Sequence, residues 1–355
     1  MIAPRTAHTS SRRPSTRSTT EGRAVHLMEQ VCAIAGDMAM IDNVRAECDR
    51  NGVAAAVQRH DDGPLFDWLV AAFSFQGISD VVARSYWLRG GVTQAQVDAG
   101  LADARCPKLA SFWTFERCGY QKGAWYCGEP NHRADCPLPL HDLRNGRLNQ
   151  GAYSLRLFLR DLCDDDLVGW IDRRLEEEDC LTTDDRVLRL GQAVIEPMKG
   201  VFGVSDKVLN MVLADLLIGG DPNRSTWVAA GGGMIAIDTL VHNWLHRTGI
   251  LGWFGGSHAY GDLCYGATGC AALLRRFSSQ IDARRFNLDH PPDFPRFVQH
   301  AIWRFCAMDH EGRCNGVKID DRRPCKDPDC PVGGLCARTP LAPGRLRGLN
   351  TMKRT

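Results

Sequence analysis

The stretch "VFGVSDKVLN", residues 201 to 210, joins two helical patterns. Upstream, "TTDDRVLRLGQAVIEPMKG" (182–200) opens on Thr and Asp. It places Val187, Leu188, Leu190, Val194 and Ile195 near helical period and ends at Gly200, a residue type suited to a helix C-cap. Downstream, "KVLNMVLADLLIG" (207–219) reads as a second helix. A glycine hairpin between two helices turns backbone N–H groups outward at the start of the second. Together with the helix dipole they can hold a phosphate without reading base sequence. Lys207 is at odds with its place, because the macrodipole disfavours a cation in the first helical turn. Its amine is also a nucleophile whenever it is unprotonated.

The chain has 355 residues, enough for two compact units. Its 43 Lys and Arg nearly balance its 42 Asp and Glu, so no global field draws it onto a polyanion. Any nucleic-acid contact needs a local basic face. Charges interrupt every long apolar run, so no membrane span or membrane partner is expected. Residues 1–25, rich in Arg, Ser and Thr and lacking an apolar leader core, are expected to be a disordered tail. Residues 341–355 are expected to be a basic C-terminal tail. Fifteen cysteines without such a leader favour metal ligation over disulfides, and a cytoplasmic protein.

Helical periodicity covers most of the remainder, with no convincing strand pair or internal repeat, so the fold class is mostly α. "GGDPNRSTWVAAGGGM" (219–234) reads as a Gly-rich loop, residues 250 to about 313 as helical, and Cys306 as a core cysteine. Periodicity is lost over about 105–145, where Cys, Gly, Pro and His crowd together. There Cys118, Cys127, His132 and Cys136 have a spacing that a small zinc module could use; an ordinary loop with stray cysteines is the alternative.

Three segments, in order, resemble the endonuclease III superfamily of DNA glycosylases across roughly residues 60 to 340. Gly203, Val204, Lys207 and Asn210 fall on the family's hairpin frame. "MIAIDTLVHNWLHRTGI" (234–250) is similar to its downstream segment at Ile235, Ala236, Asp238, Thr239, Arg247, Thr248 and Gly249. "PLFDWLVAAFSFQGISD" (64–80) is similar to its early helix at Gln76 and Asp80. The chain departs from the family at Ser205, where a second glycine is usual, at Asp206, often basic there, and in a longer stretch between lysine and aspartate.

The resemblance implies two helical subdomains flanking a DNA-binding cleft, with a helix-hairpin-helix and a Cys-ligated iron-sulfur loop. Residues 61–249 would form the hairpin domain, carrying the insertion at about 105–145; residues 26–60 with 250–340 would form the cluster domain. Lys207 would be the nucleophile, with Asp238 activating it and facing positive charge on the sugar. Asp238 also suits the N-cap of the helix that follows. Gln76 would fill the gap left by a flipped nucleotide, with Gly203 and Ser205 at the phosphate. Asn149, Gln150, Tyr153 and Trp227 are base-pocket candidates, although a packing role fits Trp227 as well. Cys314, Cys325, Cys330 and Cys336 resemble an expanded form of the family's [4Fe-4S] loop, with the same final interval and a helix expected to end at the first ligand. Zinc would use the same four thiolates. Arg322, Arg323 and Lys326 would supply the local basic face. The expected partner is double-stranded DNA containing a damaged or modified base, bound by a monomer. The expected activity is base excision with β-elimination. A lesion-binding protein that no longer cleaves is the alternative, and a cluster-bearing redox or structural protein a third.

Overall fold

The computed structural model describes residues 16–75, 80–88, 92–115, 118–121, 126–140, 146–181 and 185–342. Among these residues the chain is helical and forms no strand. The N-terminal part holds α1 (Thr16–Ala35), α2 (Met40–Arg50), α3 (Val53–Arg59), α4 (Asp62–Phe73), α5 (Asp80–Trp87), α6 (Gln94–Ala102) and α7 (Phe112–Phe115). The middle holds α8 (Gly146–Leu162), α9 (Leu167–Asp179), α10 (Arg186–Met198), α11 (Asp206–Gly219) and α12 (Ser225–Gly233). The last part holds α13 (Thr239–Arg247), α14 (Ile250–Trp253), α15 (Cys270–Ser278) and α16 (Pro295–Cys306). No single helix among the described residues is long and apolar enough to cross a membrane.

The core is organised around α11. This helix is apolar on nearly every side, from Val208 to Ile218, which is the pattern of a helix enclosed by others. It packs against α2, α4, α10 and α12. By contrast, α10 buries one stripe, Leu190, Val194, Ile195 and Met198. At the other end, α1 lies along α15 and α16, and α13 packs on α16. Residues 16–25 therefore do not belong to a tail: they form the first turns of α1, and Ala24 is buried in the core. Arg23 ties that helix to the far end of the chain, donating from Nε to the Leu335 carbonyl at 2.6 Å and covering the Trp253 ring. Residues 1–15 and 343–355 lie outside the described residues.

The glycines at 231–233 correct the expected loop. They form the buried end of α12, which lies against α10 and α11. A side chain at Gly231 would meet the Ala214 carbonyl at 3.0 Å; one at Gly233 would meet Val187 at 2.5 Å from Cγ1 and 2.9 Å from the carbonyl oxygen. Glycine is needed for close helix approach, and the packing outweighs its poor helix propensity.

Two other expectations fail in the last third. Residues 254–269 are mostly turns, with one 3-10 turn at Asp262–Tyr265, rather than helix. The final helix ends at Cys306, before the first tail cysteine. Asn315 Nδ2 donates to the Cys306 carbonyl at 2.9 Å, and Arg313 N to the Phe305 carbonyl at 2.9 Å, so the returning chain satisfies the last carbonyls.

Gly233→Ala should lower stability by about 1–3 kcal/mol through overpacking. Chemical denaturation would show this as a lower midpoint.

Candidate functional site

Gly203 sits in the left-handed region at φ 78° and turns the chain between α10 and α11. Val201 N donates to the Met198 carbonyl at 3.0 Å and Val204 N to the Val201 carbonyl at 3.4 Å, which closes the turn. Phe202 anchors it to α8: its N–H donates to Ser154 Oγ at 3.0 Å, and its ring meets Phe115 edge-on. Ser205 is exposed, in extended conformation, at the N-cap of α11. Lys207 follows, half-buried. Asp206 lies 3.8 Å from Lys199, and Asn210 Nδ2 donates to the Asp206 carbonyl at 2.8 Å.

The second segment of the site is the irregular run 234–238 between α12 and α13. Met234 to Ile237 are buried, and Asp238 caps α13 by accepting from Val241 N at 2.8 Å. Two tyrosines hold the Ile237 peptide groups. Ile237 N donates to Tyr265 Oη at 2.9 Å, and Tyr260 Oη donates to the Ile237 carbonyl at 3.5 Å. Burial pushes the Asp238 carboxyl above its ordinary value, against the Val241 N–H and the positive charge of Lys207. Lys207 and Asp238, 31 positions apart in sequence (238 − 207), are thus within electrostatic reach of one another. A groove of about 270 Å³ lies nearby, lined by Lys199, Asp206, Asn210, Ile235, Tyr265 and Arg275 among others, with neither Lys207 nor Asp238 in its wall.

One turn beyond Asp238 lies a group that the sequence alone did not reveal. His242, His258, Cys264 and Cys270 bring their ligand atoms within 4.8 Å of one another and can hold a metal ion. His242 Nδ1 is 3.3 Å from Cys270 Sγ and 3.5 Å from Cys264 Sγ; His258 Nε2 is 3.5 Å from Cys270 Sγ. The hydrogen bond from Cys270 lowers the Cys264 thiol, outweighing burial, which pushes it up. The ligands come from α13, a loop, a 3-10 turn and the start of α15, so no short motif links them. The glycine-broken "SHAYGDLCYGATGC" (257–270), with one His and two Cys, was the available signal; a helix assignment concealed it.

The tail cysteines 314, 325, 330 and 336 are half-buried. Burial, then the charges of the other three, pushes the Cys336 thiol up to about 11. Its sulfur accepts from Arg338 N at 3.3 Å, and Cys330 accepts similarly from Val332 N. Cys306, fully buried, hydrogen-bonds Cys314 and so does more than fill the core. Buried Arg247 reaches the Cys314 carbonyl at 3.2 Å and pairs with Asp321. Thr339 N and Ala337 N return to the Arg247 and Thr248 carbonyls at 2.9 and 3.0 Å. Gly249, at φ 90°, leaves room for Ala337, whose Cβ would lie 2.7 Å from a side chain there. Arg322, Arg323 and Lys326 are exposed, although Asp320 takes two side-chain bonds from Arg322, at 2.8 and 2.9 Å, and lies 3.9 Å from Arg323. With Arg313 and Lys318, Arg323 and Lys326 line a groove of about 410 Å³.

In the insertion, Cys118, Cys127, His132 and Cys136 line one small cavity of about 10 Å³, and Cys106 joins them there. Each of Cys118, Cys127 and Cys136 accepts a backbone N–H from two residues on; Glu129 N to Cys127 Sγ is 3.4 Å. Cys106 lies in the same aperiodic stretch but twelve positions before Cys118 (118 − 106), and was left out of the four-ligand spacing.

The base-pocket candidates require correction. Asn149 and Gln150 are buried and fasten the insertion to α8, through the Leu138 carbonyl at 2.8 Å and the Cys118 carbonyl at 3.2 Å. Tyr153 is fully buried in the core. Trp227 is buried too, donating from Nε1 to Asp172 at 2.7 Å with Arg224 over its ring. Gln76 lies outside the described residues. No family model, no curated protein and no solved structure matches this chain.

Because burial raises Asp238 in the folded state, ionising it costs stability as pH rises above the ordinary value of 3.8. Asn keeps the helix cap without the charge. The melting temperature of Asp238→Asn relative to wild type should therefore be higher at about pH 7 than at about pH 4. Thermal melts at both pH values test the sign.

Proposed function

We propose that this chain is a DNA glycosylase with lyase chemistry, in which α10, the 199–205 turn and α11 act as a helix-hairpin-helix beside a cleft that receives a flipped nucleotide. The observation that carries it is the positive charge of Lys207 acting on the half-buried, helix-capping carboxylate of Asp238, with a groove nearby. A carboxylate disfavoured in its charged form accepts a proton more easily than an exposed one. The freed Lys207 amine then attacks C1′ of the deoxyribose. The glycosidic bond breaks and the base leaves with its electron pair, taking the proton that Asp238 received. The carboxylate so restored stabilises the positive charge that develops on the sugar. Ring opening gives a Schiff base between Nζ and C1′. Loss of a C2′ proton breaks the C3′–O bond and nicks the strand, and water releases the lysine.

The hairpin's turned backbone suits one phosphate. Arg313, Lys318, Arg323 and Lys326 would meet others beside the tail. Asp206, in the first turn of α11, opposes phosphate there, so binding through this hairpin is weak. For the tail we propose a [4Fe-4S] cluster on Cys314, Cys325, Cys330 and Cys336. The thiols feel one another's charge, and Cys330 and Cys336 already accept backbone N–H groups, as cluster thiolates do. The cluster would act as a structural staple for the loop that carries the basic groove.

Incubation with lesion-containing duplexes under borohydride should trap a covalent adduct that Lys207→Ala abolishes. Asp238→Asn should slow trapping by about 10²–10³-fold. DNA binding without an adduct on any lesion would instead support a non-cleaving lesion reader. Absence of DNA binding would refute both. Purified protein should be brown with roughly four irons per chain, and Cys330→Ser should lose them.

A further inference from the structure

We infer that His242, His258, Cys264 and Cys270 form a closed, four-ligand structural zinc site behind the Asp238 segment. Geometry comes first. Zn–S bonds of about 2.3 Å and Zn–N bonds of about 2.0 Å in a tetrahedron set ligand atoms about 3.3–3.8 Å apart. The separations here are 3.3, 3.5 and 3.5 Å for three of the pairs, and all lie within 4.8 Å. Three of the six separations already match those that one tetrahedral ion would impose, and the rest need only a small inward shift.

The histidine tautomer is also set. His258 Nδ1 donates to the Gly256 carbonyl, which leaves the Nε2 lone pair directed at the quartet. A carbonyl fixing the far nitrogen of an imidazole is the usual support of a metal-ligating histidine. His242, Cys264 and Cys270 are buried. Two thiolates and two neutral imidazoles around a divalent cation make a neutral complex, the only kind cheaply buried. Two sulfurs and two nitrogens in a tetrahedron select zinc over magnesium or calcium, which prefer oxygen. Four protein ligands leave no open position, so the ion has a structural role.

The local chain needs such a staple. Residues 254–269 carry only one 3-10 turn and four positive-φ or closely packed glycines, Gly255, Gly256, Gly261 and Gly269. Yet this segment presents Tyr260 and Tyr265, whose hydroxyls hold the Ile237 peptide groups. An ion joining the segment to α13 and α15 fixes that wall. The inference does not depend on glycosylase activity, and the site is separate in sequence from the tail and insertion cysteines.

Full-length protein purified with zinc should contain one more zinc per chain than Cys270→Ser. Cobalt-loaded protein should show a tetrahedral thiolate spectrum with a component missing in Cys270→Ser but retained in Cys330→Ser and Cys136→Ser. His258→Cys, which keeps four ligands, should still bind cobalt, with stronger sulfur-to-metal absorption from the third thiolate. Equal zinc in wild type and a folded Cys270→Ser would overturn the inference. If Cys270→Ser does not fold, a His258→Cys spectrum identical to wild type would overturn it.

Discussion

The arrangement of the site depends on one half-buried carboxylate with three obligations. Asp238 must cap α13, offset the charge of Lys207 and tolerate a setting that disfavours its own charge. Each constrains the backbone around it. The cap fixes where α13 begins, and hence where His242 lies one turn on. The irregular run before it is buried and held through Ile237 by two tyrosines from a segment with little regular structure. That segment is in turn joined to α13 through the histidine and cysteine quartet. Local order around the carboxylate therefore spreads through side chains rather than through a sheet or a continuous helix.

The long periodic helices were legible because their apolar stripes state which face is buried, as Leu190, Val194 and Ile195 do for α10. The turn at Gly203 was legible too, since a left-handed glycine between two such stripes leaves few alternatives. The Lys207–Asp238 proximity could be expected only through resemblance. Three features resisted reading. Gly231 to Gly233 break a helix by propensity but make one by packing, and packing partners are invisible in a single sequence. Asn149 and Gln150 looked like groups for a base edge. Their buried amides instead serve carbonyls of the insertion, because a polar loop laid on a helix has backbone groups to satisfy. The histidine and cysteine quartet was scattered over four elements, so only three-dimensional closure revealed it.

The fifteen cysteines sort into neighbourhoods of different character. Those beside α13 share histidines and are mostly buried. Those in the insertion face a cavity of about 10 Å³, room for a single small ion by volume. Those in the tail are half-exposed, bordered by arginines, and joined through Cys314 to buried Cys306. Burial drives the thiols of Cys32, Cys48 and Cys163, set apart in the core, toward the protonated form, and they behave as small apolar side chains.

The pairing of α1 with α15 and α16 sets the order in which the molecule can be completed during synthesis. Arg23 and the Leu335 carbonyl it binds are 312 positions apart. The first helix therefore leaves the ribosome long before its binding surface exists, with Leu27, Met28 and Val31 unburied until α16 and the cysteine tail emerge. Closure of so long a loop comes late and slowly. A nascent chain of this protein thus carries an exposed apolar stripe for most of its translation, a natural point of engagement for chaperones.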